Sequence, residues 1–197
     1  MIRQQKTAYQ IGKIKFLLES KINSYSSYLD AYKIKNGSNV KYDFKISAYR
    51  SKSKIGRKRK WVVNKSPHHY SVVYPDLYLA EIILTRDKDI VSLPFSSVLS
   101  TVFPSLYNGM ILHSSCVTKQ NNAYLFLGKS GAGKSTIAEL AGEYGSYKII
   151  ADDLILIRNI NNDFYAFSIP QSRQRQAELK GARVKKYFLS SNQKKTW

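Results

Sequence analysis

Residues 128–135 read "GKSGAGKS" and fit G-x-x-x-x-G-K-[ST] without a mismatch. They stand between the apolar run "AYLFL" and the segment "TIAELAGEYG", which has helical spacing. In that strand–loop–helix context the pattern makes a phosphate-binding loop. Glycines let the backbone curl with its N–H groups turned inward, and the following helix aims the positive end of its dipole at the same point. An anion of phosphate size is the natural occupant. The nucleotide-binding candidates are Gly128, Lys129, Ser130, Gly131, Ala132, Gly133, Lys134, Ser135 and Thr136. Lys134 is expected to reach the β and γ phosphates of ATP as a mobile point charge, and the Ser135 hydroxyl to ligate Mg²⁺.

The whole 197-residue chain is 43% hydrophobic and 13% aromatic, a globular composition. No apolar stretch approaches the roughly 20 residues needed to cross a bilayer, and residues 1–18 lack an apolar core with a small-residue cleavage site. A cytoplasmic protein without membrane association is expected. The single cysteine, Cys116, has no Cys or His at zinc-ligand spacing and reads as an inert, half-buried strand residue. A net charge of +19 attracts something acidic, without choosing among nucleotide phosphates, an acidic peptide or protein, nucleic acid and an anionic membrane surface. Biased codon usage, leaving a solvated basic surface, explains the same number.

Residues 1–107 read as a mostly β lobe. In "NVKYDFKISAY", Val40, Tyr42, Phe44 and Ile46 share one strand face, and "HYSVVYPDLYLAEIIL" adds strand-like sequence. The intervening "KSKIGRKRKW" reads as an exposed charged loop rather than a nucleic-acid patch. "SLPFSSVLSTVFPSLYNG" predicts one helix or two short ones, closing on Asn-Gly. Residues 108–197 form the second expected domain. There "MILHSSCVT" and "AYLFLG" predict a hairpin, "STIAELAGEYG" a helix ended by Gly145, and "YKIIADD" a buried strand.

Asp152 and Asp153 close that strand in the sequence reading. A carboxylate beside a phosphate loop can hold Mg²⁺ or orient an attacking hydroxyl, and two in succession can divide those jobs. Strand side chains alternate between faces, so both reach the phosphates only if the strand ends or bends there. The base-reading N-K-x-D of GTPases and the L-S-G-G-Q of transporter ATPases are absent from the sequence.

"LHSSCV", "GKSGAGKST", "IIADD" and "ELKG" together resemble the catalytic domain of the HPr serine kinase/phosphorylase family. The resemblance covers roughly residues 108–181. It implies an α/β P-loop core of the HPr kinase type, ATP and Mg²⁺ as cofactors, and transfer of the γ-phosphate to a hydroxyl, a serine on a peptide or protein. It implies that Asp153 is the catalytic carboxylate, that His113 assists it, and that Asp152 and Glu178 complete the Mg²⁺ ligands with Ser135. The chain departs from the family at Thr136, where the family has Glu, and at Arg183, where it has Gly. It also ends at Trp197, before the region supplying a further arginine and the closing elements, so the core is expected to be C-terminally short. Arg173, Arg175 and Arg183 are candidates to substitute. Residues 1–107 are more similar to the front half of smaller HPr-kinase-like proteins that act on peptides.

Two rival readings stand beside the kinase. One is a nucleotide-binding module without transfer activity that regulates or scaffolds a partner. The other is nucleic-acid binding through "KSKIGRKRK" and "KGARVKKY", against which no recognition fold or stacking motif is legible. The acceptor and a homo-oligomeric state are left open.

Overall fold

The computed structural model describes residues 5–20, 22, 24–35, 40–50, 61–65, 69–84, 92–170 and 180–190. The protein is mixed α/β, mostly strands with few helices, and divides into two compact units, Met1–Asn108 and Gly109–Trp197. Among the described residues no helix is long and apolar enough to cross a membrane.

The first unit is a six-stranded mixed sheet in the order β1-β2-β3-β6-β5-β4. β1 (Gln5–Ile11) and β2 (Ile14–Ser20) pair antiparallel from Ile11↔Ile14 outward. The two residues that join them, Gly12 and Lys13, both have positive φ, 56° and 63°, which matches the twist a tight hairpin requires. After the short helix α1 (Ser24–Leu29), β3 (Phe44–Arg50) lies parallel to β2 and to β6 (Leu79–Leu84). β4 (Trp61–Lys65) and β5 (His69–Tyr74) complete the sheet. Phe44, Ile46 and Ala48 alternate into the core as a pleated strand demands.

That strand starts at Phe44, so the face expected from Val40 and Tyr42 is shorter than the alternation suggested. Asp43 explains it: its carboxylate accepts a bond from Lys15 N at 2.8 Å, and its own N–H donates to Lys15 O at 2.7 Å, fixing the chain before it joins the ladder. Tyr42 is left 44% exposed. α2 (Ser92–Leu106) is one helix, continuing past Pro104. It buries Phe95, Val98, Leu99, Val102 and Phe103 at the i, i+3, i+4, i+7, i+8 spacing of an inward stripe. Phe95 meets Phe16, Tyr25 and Tyr28 at ring separations of 5.8, 6.1 and 5.9 Å. Residues 52–60, the basic run, lie outside the described residues.

In the second unit five strands close on themselves in the order β10-β11-β8-β7-β9. β7 (Gly109–Lys119) turns at Gln120 and Asn121, both at positive φ, into its antiparallel partner β8 (Asn122–Gly128). α3 (Lys134–Gly145) follows, then β9 (Lys148–Ile160), β10 (Asp163–Ser168) and β11 (Ala182–Ser190). β11 runs parallel to β8, ending at Ser190↔Gly128. Cys116, Leu125, Ala151, Ile155 and Ala166 belong to one buried cluster. Cys116 is fully buried rather than half-buried, and burial pushes its thiol up to about 12. β9 does not end at Asp152–Asp153; it continues to Ile160, because pairing with β7 persists on both sides of the pair.

Candidate nucleotide-binding site

The loop leaves β8 at Gly128 and enters α3 at Lys134. Ala132 N–H donates to Lys129 O at 3.2 Å, tightening the bend. Gly131 and Gly133 sit at φ +77° and +80°, and a Cβ on either would meet no atom within 4 Å. Backbone conformation, not space, therefore calls for glycine at both. Gly133 caps α3 without a side-chain bond. The first-turn N–H groups of Lys134, Ser135 and Thr136 consequently have no acceptor within the helix.

Lys134 is folded over this bend. Its Nζ donates to Gly128 O at 2.9 Å and Lys129 O at 3.0 Å, and the residue is only 8% exposed. An ammonium has three donors, so this clamp leaves one for an anion. A hollow of about 590 Å³ opens beside the loop, lined by residues 130–136 together with His113, Asp152 and Asp153.

The acidic wall comes from the β7–β9 ladder, where Ser115 pairs with Asp152 and Ser114 with Asp153. Ser115 Oγ, fully buried, donates to Asp152 Oδ1 at 2.9 Å. Ser114 Oγ instead has two carbonyl acceptors for its single proton, Ser115 O at 2.8 Å and Phe126 O at 3.0 Å. His113 Nδ1 lies 2.8 Å from Asp153 Oδ1, and both side chains are about half exposed, 53% and 50%. β8 pairs with β7 only as far as Ser114↔Leu127, so His113 lies one position beyond its last rung and Asp153 stands opposite the Ser114 of that rung.

The candidates at 130–136 thus share one hollow with His113, Asp152 and Asp153, while Gly128 and Lys129 contribute carbonyls that hold Lys134. The expected strand end at the aspartates is not what gathers them. The ladder instead steps from Cys116↔Ala151 to Val117↔Ile149, leaving Ile150 as an extra residue just before the pair. Glu178, Arg173 and Arg175 lie outside the described residues. Arg183 bonds Asp163 and does not line the hollow, so it is no substitute for an active-site arginine in this arrangement. Ser115 was not a candidate from sequence; its place two residues after His113 in "LHSSCV", on the same strand face, was the only signal.

The residues fit Mg-ATP. An uncapped helix start and a loop lysine suit terminal phosphates, and a hydroxyl with a fixed carboxylate suits a hard cation. Among the described residues no group of three His, Cys, Asp or Glu side chains is gathered as a metal site. A strand–loop–helix bend on a mixed α/β protein is what this geometry defines. Compared with protein-family models and with curated proteins, the chain matches none.

Proposed function

We propose that the second unit is a P-loop core of the HPr kinase type and that the protein is a cytoplasmic, ATP- and Mg²⁺-dependent kinase, moving the γ-phosphate to a seryl hydroxyl of an acidic peptide or protein. The observation that carries this reading is the convergence of the uncapped α3 start, Lys134 and the Asp152–Asp153 pair on one hollow.

Mg²⁺, when bound, neutralises charge on the phosphate oxygens; Ser135 and Asp152 would hold it, with Glu178 as the further ligand the resemblance suggests. Lys134 and the first-turn N–H groups bind the terminal phosphates and hold them in line with the acceptor. Asp153, oriented by His113, accepts the hydroxyl proton as the seryl oxygen bonds to the γ-phosphorus and the bond to the β-phosphate oxygen breaks, releasing ADP. Such chemistry depends on positioning and charge more than on reactive side chains.

Calorimetric titration with Mg-ATP and transfer from γ-labelled ATP to seryl peptides test the proposal together. Binding heat should vanish in Lys134→Ala, and labelling should fall by about 10²-fold or more in Asp153→Asn. Heat that is unaffected by Lys134→Ala defeats the reading. Binding without labelling by the parent protein favours the nucleotide-binding module.

A further inference from the structure

The second unit carries another hollow, of about 420 Å³, walled by Leu112, Leu125, Leu127, Ile157, Phe164 and Val184. Leu112 immediately precedes His113, and Leu127 immediately precedes Gly128. Consecutive strand side chains face opposite ways, but Asp153 pairs with Ser114, two positions from Leu112, so that carboxylate and the apolar wall lie on one face of the β7–β9 ladder.

β11 shapes its remaining side. Its ladder with β8 steps from Val184↔Ala123 to Lys186↔Tyr124, so Lys185 is an extra residue at a bulge. A bulge reverses which side chains face inward, and past it Tyr187 stands opposite Leu125. Lys185, Lys186 and Tyr187 complete the lining, and no carboxylate is among the described residues of the wall. Phe164 and Tyr187 remain 53% and 62% exposed, so large apolar surface is kept in the open here.

We infer that this hollow seats a bulky apolar side chain of the acceptor peptide, while Lys185 and Lys186 take acidic residues beside it. The apolar walls supply affinity for an anchor side chain, and the lysines select its flanks by charge. Ile155 stands opposite Leu112 on β9, two positions from Asp153. At roughly 3.3 Å per extended residue, the anchor then lies about two to three residues from the serine. The inference rests on the phosphoryl-transfer reading for the place of that serine.

Binding without nucleotide tests it on the full chain. Labelled peptides carrying one serine, a Leu or Phe two residues away and flanking Glu are compared by fluorescence anisotropy with anchor→Ala and Glu→Lys versions. Loss of the anchor, or the double change Phe164→Ala with Tyr187→Ala, should weaken binding about tenfold or more. Both altered side chains are exposed, and circular dichroism verifies folding. Lys185→Glu with Lys186→Glu should turn the preference toward the Lys-flanked peptide. Affinity indifferent to the anchor, a double-alanine variant that binds like the parent, no binding of any peptide, or a fluorescent fatty acid that the peptide cannot displace each overturns the inference. Anchor-dependent binding alongside a silent Mg-ATP titration would defeat only the kinase reading. Peptide phosphorylation that ignores the anchor would defeat only this one.

Discussion

A single hydroxyl sets the acidic wall of the cradle. Ser115 Oγ, fully buried, donates to Asp152 Oδ1 at 2.9 Å, and a held carboxylate meets a cation without first being ordered. Ser115→Ala removes one small polar atom from a closed position, so the strand should survive. If the proposed transfer operates, turnover should fall on the order of tenfold and the Mg²⁺ concentration for half-maximal rate should rise. An unchanged Mg²⁺ dependence would show that Asp152 does not serve the cation. This residue was illegible in the sequence because its role depends on register: only the pairing Ser115↔Asp152 gives the hydroxyl its partner. The aspartates were singled out in the sequence by their place after an apolar run, His113 only through the resemblance, and Lys134 by its spacing from the loop glycines; the structure brings them to one hollow.

At the level of elements, α3 offers a contrast between two of its glycines. Gly133 caps the helix at φ +80°, where an alanine is strained by about 1–2 kcal/mol although no neighbouring atom would touch its Cβ. Gly142 lies within the helix, where an added Cβ meets only ordinary contacts at 3.5–3.6 Å, so alanine there gains about 0.5–1 kcal/mol of helix propensity. Urea unfolding should therefore show Gly133→Ala destabilised and Gly142→Ala stabilised, with Mg-ATP affinity reduced only in the first. Shifts of the same sign would mean that the cap conformation is not what glycine supplies. The strand–loop–helix unit and the β7–β8 hairpin were readable because their signals are local: apolar runs, a polar turn, a glycine at the last helical position, although the left-handed cap falls on Ser146. The parallel pairing of β2 with β3 and of β3 with β6 was not, since it joins distant segments with no turn between them to mark the register. The continuity of β9 was hidden for a related reason. Two aspartates look like a strand end in sequence, but the ladder to β7 carries the strand through them.

Across the whole molecule, 32 basic residues face 13 acidic ones, so each carboxylate that is paired in the fold offsets self-repulsion that has few other counterweights. Glu19 is such a group. It lies 2.8 Å from Lys45 Nζ and 3.1 Å from Lys6 Nζ, with its side chain 11% exposed. The hydrogen bond from Lys45 is the main cause that holds its carboxyl below the ordinary value of 4.5, against an opposing push from burial. A carboxyl lowered in the folded state stabilises fully above the unfolded value and ceases to do so as pH drops through the lower folded one. Stability should therefore decline from about pH 5 downward, and Glu19→Gln should flatten the part of that decline owed to this residue while lowering stability at pH 7. Urea midpoints of the two proteins, measured at fixed ionic strength from pH 7 to pH 3, decide the point: the gap between them should narrow as the pH falls. Parallel curves would mean that the lysines around Glu19 contribute no net stabilisation, leaving the excess positive charge to be carried by solvent and counterions alone.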